Sequence, residues 1–297
     1  MNYMYFYDQY IQECKMGKNL STETVKAYKI DLKQFIEFYK QSESDILTVI
    51  QCYIFRMNGI YQPKTIKRKL ASLHAFFEFL SNYDFLEQNP MNKIKFKIKQ
   101  EKKLPRIISY GNLQQLYSFI YKGTDTNIIN LRNKAIVELL MSTGIRVSEL
   151  CNLRDNDIKM TDRYIRVLGK GSKERIVYLG NENVLHALKN YFKAKNKNGK
   201  QESFFFLNKY GNKLSDQSIR NIINSFSLKA HIEERITPHM FRHTFATMLL
   251  EADVDIRYIQ KILGHSSVTT TEIYTHVSTA KIKDILTYKN PRDRIYF

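Results

Sequence analysis

A stretch near the carboxy terminus places histidine, arginine and tyrosine side chains at spacings that suit phosphate chemistry. It begins T-P-H-M-F-R-H at Thr237, where an N-cap hydroxyl followed by Pro238 favours the start of a helix. His239 and Arg242 are three residues apart, so a helix projects them together from one face near its N-terminus. The free N–H groups and partial positive charge at that terminus suit an anion such as phosphate.

A second helix and a tyrosine follow. Asp255 and Gly264 are typical N-cap and C-cap residues, which predicts a helix between them, and His265 comes directly after its end. Tyr274 lies nine residues later, on a segment opened by the polar run S-S-V-T-T-T. Together these residues offer donors for a non-bridging phosphate oxygen and a hydroxyl that could attack phosphorus.

The motifs H-M-F-R-H, L-G-H-S and the I-Y-T-H around Tyr274 resemble the carboxy-terminal signature of the tyrosine site-specific recombinases, the phage integrase family, and above all its Xer recombinases. Upstream, M-S-T-G-I-R-V-S-E-L resembles the first arginine box of that family. Gly144 would allow a turn, Arg146 would start the next helix, and Glu149 could hold its guanidinium. An ordinary helix start with an internal ion pair remains an alternative for this segment.

Two alternating runs flank G-K-G-S between Tyr164 and Leu179, and this pattern predicts a β-hairpin with Lys170 at its tip. The G-x-x-x-x-G-K-[ST] phosphate loop is absent, which disfavours nucleotide binding. A lysine at a hairpin tip is most often simply solvated. The resemblance implies instead that Lys170 enters the DNA minor groove beside the cleaved bond, and that Lys173 and Arg175 contact the DNA backbone.

The resemblance implies six catalytic residues: Arg146, Lys170, His239, Arg242, His265 and Tyr274. Tyr274 would attack the scissile phosphorus and form a 3′-phosphotyrosyl bond that stores the phosphodiester energy, so that no ATP is needed. The two arginines would neutralise the transition state in place of a metal ion. His265 would bind a non-bridging oxygen, while His239 would assist phosphate binding and deprotonation of the tyrosine. Lys170 would protonate the leaving 5′-oxygen.

Composition sets the broad class. The chain has 297 residues, which suits two domains better than one core, and a net charge of +18 that favours a polyanionic partner. A generally basic protein from an AT-rich genome is the alternative. Cys14, Cys52 and Cys151 form no CxxC pair, so the sequence predicts neither a disulfide framework nor a zinc site. With no signal peptide and no apolar stretch of ~20 residues, we expect a bacterial cytoplasmic, nucleoid-associated protein without cofactors.

Residues 1–90 are predicted to form a helical domain that by resemblance is the SAM-like core-binding domain of the family. Ser21 opens a helix whose apolar positions recur with a spacing close to 3.6 residues. Four basic residues, Lys64, Lys67, Arg68 and Lys69, crowd the start of a second helix. A solvated charged face is the ordinary explanation for such a cluster, and contact with DNA phosphates is the more specific alternative.

Residues 91–105 are predicted to be a basic linker to a catalytic domain at 106–297. The N-P pair at 89–90 ends the preceding helix, and K-I-K-F-K-I-K follows. The strict alternation of this segment also fits an edge strand. In a two-domain clamp around DNA, Lys97 and Lys99 would neutralise phosphates and make binding salt-sensitive.

The carboxy-terminal tail contains a weak amphipathic helix that includes Ile282, Ile285 and Leu286 and stops before Pro291. We expect too few apolar residues to bury this helix firmly on its own domain. By resemblance such a tail docks on a neighbouring protomer in a cyclic assembly, and a frayed terminus is the alternative.

The sequence thus predicts a mainly α-helical two-domain DNA clamp with a small β-hairpin or sheet. Its predicted activity is site-specific recombination, either Xer-like resolution of DNA dimers or integration and excision of a mobile element. It would act on double-stranded DNA with paired half-sites, as a homo- or hetero-tetramer. A type IB topoisomerase, a metal-dependent nuclease or transposase, and a non-catalytic DNA-binding homologue are the alternatives. The topoisomerase shares this catalytic set, and the exchange-type tail and Xer-like length argue against it. The scarcity of clustered carboxylates argues against a metal-dependent enzyme, and retention of all six positions argues against a non-catalytic homologue.

Overall fold

The computed structural model describes residues 3–95, 105–123, 127–169, 174–196, 204–264 and 279–297. The chain divides into two compact units, Met1–Lys103 and Leu104–Phe297, and each has its own hydrophobic core. The structure is predominantly helical with one small antiparallel sheet, which confirms the predicted fold class. None of the helices in the described ranges combines the length and the apolar composition that crossing a bilayer requires.

The first unit is a helical domain. Its described residues form α1 (Tyr3–Met16), α2 (Thr22–Lys40), α3 (Ile46–Ile60), α4 (Pro63–Asn82) and a 3₁₀ turn (Pro90–Lys93). The Ser21 hydroxyl caps α2 as predicted, because it accepts the Thr24 backbone N–H at 3.2 Å. Helix α2 packs against α1 and α4 around an aromatic core that includes Phe35, Phe76 and Phe77.

A buried carboxylate joins α2 to α4. Asp31 accepts hydrogen bonds from Arg68, from Lys69 at 3.1 Å and from the Ser72 hydroxyl at 2.9 Å. Lys69 is only 2% exposed, and its ammonium lies 4.9 Å from the ring centre of Tyr61. The predicted solvated face is therefore wrong for Lys69, because α2 supplies a carboxylate that compensates its charge in the interior.

Little of the predicted linker lies within the described residues. At its start, the Asn89 side chain caps the Pro90–Lys93 turn by accepting the Met91 backbone N–H at 3.0 Å, and Pro90 and Met91 are buried. These first residues therefore pack on the first unit. Lys97 and Lys99 lie outside the described residues.

The second unit is larger and mainly helical. Its described residues form α5 (Tyr110–Lys122), α6 (Ile128–Thr143), α7 (Val147–Asn152), α8 (Glu182–Asn196), α9 (Asp216–Lys229), α10 (Pro238–Glu251), α11 (Ile256–Leu263) and α12 (Thr279–Tyr288). Helix α6 lies at the centre, buried at every position from 135 to 143 and packed against both α8 and α10. Full burial agrees with the mainly apolar composition of this stretch.

A three-stranded antiparallel sheet accompanies these helices, in the order β1 (Ile158–Lys159), β2 (Tyr164–Leu168) and β3 (Glu174–Tyr178). Strands β2 and β3 are the predicted hairpin, and β1 adds a short strand that was not predicted. Ile165 pairs with Val177 and Val167 pairs with Arg175. Ile165, Val167 and Val177 are buried, so this register sets one face of the hairpin against the core.

The tail packs on its own unit. Ile282, Ile285 and Leu286 of α12 are all buried, so the expectation that they could not bury this helix is wrong. Gly180, directly after β3, explains the close fit. A Cβ atom on Gly180 would lie 1.9 Å from the carbonyl oxygen of Leu286, so the missing side chain lets the tail backbone approach the domain.

The last residues are anchored by a buried ion pair. Arg292 is 2% exposed, and its Nε and Nη2 donate to the carboxylate of Glu138 on α6 at 2.8 and 3.0 Å. Its guanidinium also lies 4.2 Å from the ring centre of Tyr117 and 5.2 Å from that of Phe297. The segment around Arg292 is therefore tied to the central helix of the second unit.

Candidate active site

The first candidate residue, Arg146, lies where α6 turns into α7. Gly144 ends α6 in the left-handed conformation (φ +60°), and Arg146 is the N-cap of α7. Glu149 accepts the Arg146 backbone N–H at 2.9 Å and its Nη1 at 2.8 Å. The prediction that Glu149 holds this guanidinium is confirmed.

Helix α10 carries the next two candidates. Thr237 caps it as predicted, with its hydroxyl accepting a backbone N–H of the first turn at 3.4 Å. His239 is exposed, but Arg242 is only 7% exposed and donates to the carbonyls of Gly144 at 2.8 Å and Leu263 at 2.7 Å. The two side chains therefore do not share an open face. Residues three apart are offset by only about 60° around a helix, so the difference comes from the neighbours: the ends of α6 and α11 cover Arg242 and leave His239 exposed.

Helix α11 begins and ends as predicted. The Asp255 carboxylate accepts the Arg257 backbone N–H at 2.8 Å, and Gly264 ends the helix with φ +65°. This end brings together three arginines. The carbonyls of Ile262, Leu263 and Gly264 accept hydrogen bonds from Arg175 at 3.3 Å, Arg242 at 2.7 Å and Arg146 at 3.1 Å, respectively. Such carbonyls have no partner within their own helix, and the negative end of its dipole favours cations.

Among the described residues, the charges around this helix end are unbalanced. Three guanidinium groups face one carboxylate, Glu149, which Arg175 binds through both terminal nitrogens at 2.8 Å each. Burial would raise the pKa of Glu149, but hydrogen bonds from Arg175 and Arg146 lower it below its ordinary value. Burial and the neighbouring charge of Arg146 lower the pKa of Arg242 to about 10, so it stays charged at neutral pH. A phosphate anion entering here would relieve this repulsion.

The structure brings together Arg146 and Arg242 and places His239 on the same helix as Arg242. Lys170, His265 and Tyr274 lie outside the described residues, as does Lys173. In the described part of the chain, no group of three or more histidine, cysteine, aspartate or glutamate side chains could hold a metal ion.

Among the predicted DNA contacts, Lys64, Lys67 and Arg68 are exposed on α4, although Arg68 also binds Asp31. Arg175 differs, because its side chain is 15% exposed and bound to Glu149. The sequence itself indicated that the Arg175 side chain would be partly buried. The alternation in E-R-I-V-Y puts Arg175 on the same strand face as the apolar Val177.

Two family models match the chain. The phage integrase N-terminal SAM-like domain matches residues 7–82, and the phage integrase family model matches residues 108–281. Together with the arginine cluster at the end of α11, these matches define a two-domain DNA recombinase.

Curated relatives agree with this class over nearly the full length. A tyrosine recombinase of Agathobacter rectalis is 46% identical, with 97% of this chain and 97% of the relative covered. Tyrosine recombinase XerC of Leptospira interrogans is 36% identical, covering 96% of this chain and 93% of its own. The fold resembles the XerH recombinase bound to palindromic difH substrate, with a TM-score of 0.72, 22% identity, and coverage of 95% of this chain and 84% of that one.

The chain belongs to the phage integrase family of tyrosine recombinases. It is a DNA cleaving and rejoining enzyme, and its activity is site-specific recombination.

Proposed function

We propose that this enzyme cleaves DNA through Tyr274, with the scissile phosphate bound at the arginine cluster on the end of α11. The convergence of Arg146 and Arg242 on adjacent carbonyls, Gly264 and Leu263, carries the proposal. It supports a site in which two fixed guanidinium groups meet the same phosphate. His265 directly follows Gly264 in the chain and would bind a non-bridging oxygen.

In the proposed reaction the phenolic oxygen of Tyr274 bonds to phosphorus while the bond from phosphorus to the 5′-oxygen breaks. His239 assists removal of the tyrosine proton, and Lys170 delivers a proton to the leaving oxygen, which becomes a 5′-hydroxyl. Arg146 and Arg242 stabilise the negative charge that develops on the non-bridging oxygens. Attack by a 5′-hydroxyl of a second duplex reverses these steps and completes strand exchange.

The proposed DNA contacts outside the site are basic residues of both units. On α4, Lys64 and Lys67 are exposed, and Arg68 is held by Asp31 with its side chain 44% exposed. Lys97, Lys99 and Lys173 complete the proposed set, whereas the guanidinium of Arg175 is bound to Glu149. The net charge of +18 supports a polyanionic partner, and the XerH relative is bound to its difH substrate.

The proposed biological role is Xer-like resolution of DNA dimers on paired half-sites, supported by the XerC relative at 36% identity. Integration and excision of a mobile element is the second candidate. The proposed assembly is a tetramer on two duplexes. The buried Leu286 and Arg292 imply that a tail exchanged between subunits would first leave the position it occupies here.

Covalent trapping tests the proposal. Wild-type protein, Tyr274→Phe and a control variant, Tyr210→Phe, are incubated with sheared DNA of the source organism, denatured, and the protein-linked fragments sequenced. Tyr210 is a suitable control because it is an exposed tyrosine of the same unit. We expect adducts at a discrete site with wild type and Tyr210→Phe and none with Tyr274→Phe.

The pattern of adducts separates the alternatives. Adducts scattered without sequence preference would indicate relaxation of the topoisomerase type. Adducts that persist with Tyr274→Phe would exclude Tyr274 as the nucleophile. A nicked substrate that prevents religation is run in parallel, and if wild type forms no adduct on it either, the proposed cleavage is wrong.

A further inference from the structure

Arg175 makes contacts that a DNA-backbone ligand would not need. Both of its terminal nitrogens donate to Glu149, one to each carboxylate oxygen, at 2.8 Å. Paired, planar hydrogen bonds of this kind are among the strongest that an arginine makes. To reach a phosphate, the guanidinium would have to leave a carboxylate whose side chain is only 4% exposed, and that carboxylate would lose two of the four hydrogen bonds it accepts from described residues.

The surroundings of Arg175 enclose it as well. In the hairpin it pairs with the buried Val167, and it projects from the same strand face as Val177. Its Nε donates to the Ile262 carbonyl at 3.3 Å. A Cβ atom on Gly264 would lie only 3.0 Å from its Cδ, so the end of α11 packs directly on the arginine stem.

We propose that Arg175 is a positioning residue of the cleavage site, which fixes Glu149 and the end of α11 and thereby orients Arg146. This inference rests on the proposed function of Arg146. Glu149 Oε1 accepts from Arg146 and Arg175 together, both at 2.8 Å, so the carboxylate couples the two guanidinium groups. Without Arg175, Glu149 loses two of its hydrogen bonds and the Ile262 carbonyl loses its donor.

Positioning and phosphate contact affect different measured quantities. A positioning residue acts on the chemical step, where misplacement of a catalytic group by about 1 Å costs on the order of 100-fold in rate. A phosphate contact acts on affinity and on its salt dependence, because losing one contact reduces the slope of log K against log salt by about 1.

The experiment compares Arg175→Gln with wild type on a nicked duplex carrying the site that wild-type trapping recovers. We expect the rate of Tyr274 adduct formation at saturating DNA to fall by about 10- to 100-fold. The Kd should stay within about twofold and the salt slope should not change. Arg166→Gln is the matched control. It removes an exposed arginine from the adjacent strand β2 and should leave the adduct rate at saturation unchanged.

A chemical rescue distinguishes positioning from a general loss of packing. Arg175→Ala leaves space beside Glu149, and guanidinium ion at millimolar concentration can donate to both carboxylate oxygens there. We expect guanidinium chloride to recover part of the adduct rate and sodium chloride at equal concentration to recover none. If Arg175→Gln does not fold, Arg175→Lys serves in its place, because it keeps the charge but cannot bind both oxygens in parallel.

A weaker Kd and a smaller salt slope, with an unchanged rate at saturation, would identify Arg175 as a phosphate contact and overturn the inference. So would variants that match wild type in every quantity, or a lost rate that guanidinium does not restore. Failure of the proposed function is separable from these results, since wild type would then form no adduct at all.

Discussion

Replacing Gly144 by alanine should damage both the fold and the cleavage site. At φ +60° a residue with a side chain is strained by about 1–3 kcal/mol. The new Cβ would also lie 2.6 Å from Phe245 Cδ1 and 2.8 Å from Leu263 Cδ2, both buried, and overpacking of this kind costs about 1–3 kcal/mol. The two effects act at one position, so we expect a loss of about 2–6 kcal/mol from the free energy of unfolding.

Thermal unfolding followed by circular dichroism measures this loss. For a unit of this size, about 1 kcal/mol shifts the midpoint by roughly 2–4 °C, so the transition of the second unit should fall by at least about 4 °C. Gly111→Ala is the matched control. It lies in α5, a Cβ there would meet no atom within 4 Å, and alanine should raise the midpoint by about 1–4 °C.

The same substitution should slow cleavage. The Gly144 carbonyl accepts a hydrogen bond from Arg242 at 2.8 Å, so displacing that backbone moves a guanidinium proposed to bind the phosphate. Adduct formation by folded Gly144→Ala should fall at saturating DNA, while Gly111→Ala keeps the wild-type rate. Equal midpoints for Gly144→Ala and wild type, or a shift of the same sign in both variants, would refute this reasoning.

Three further predictions concern buried charges. Asp31→Ala should destabilise the first unit by about 3–5 kcal/mol in urea denaturation, because the buried Lys69 loses its carboxylate. The control, Glu23→Ala, breaks an exposed pair on the same helix and should cost less than about 1 kcal/mol. Similar losses in the two variants would contradict the buried pairing. Because hydrogen bonding lowers the pKa of Glu149 from 4.5 in the folded state, the stability it contributes is present above that value and is lost as pH falls through the folded pKa. The stability advantage of wild type over Glu149→Gln should therefore shrink as pH is lowered from 5 to 3 in acid titrations at fixed urea, and an advantage that grows would have the wrong sign. Arg292→Met should lower the stability of the second unit by about 3–5 kcal/mol, because it leaves the buried Glu138 without its partner. Adding Glu138→Gln to this variant should recover part of the loss. No recovery would show that packing, and not the charge pair, dominates.

Several helix starts and ends were predicted from residues that lie close together in the sequence. The predicted N-caps are confirmed at Ser21, Thr237 and Asp255. They could be predicted because an N-cap depends only on its own residue and the following turn. Gly144 and Gly264 end helices in the left-handed conformation for an equally local reason. The order of α10 and α11 was predicted from these features, and the hairpin before them was predicted from two alternating runs that flank G-K-G-S.

Contacts between distant residues were harder to predict. Lys69 is buried because Asp31, 38 residues earlier, supplies a carboxylate, and no local pattern reveals that pairing. The packed tail depends on the missing side chain at Gly180 and on Glu138 far upstream. For the site, Glu149 was predicted to hold Arg146, but its second bond to Arg175 spans 26 residues and required the hairpin to lie beside α7.

The buried pair of Glu138 and Arg292 has a consequence for synthesis on the ribosome. The two residues are 154 positions apart, so Glu138 is made long before Arg292. At about 5–20 residues per second, Glu138 waits roughly 8–30 s for its partner after it has been added to the chain. The first unit has all of its residues well before then and can fold while translation continues. The second unit can complete this buried pair only after Arg292 has been added, so a product truncated before that position would carry a complete first unit and an unfinished second unit.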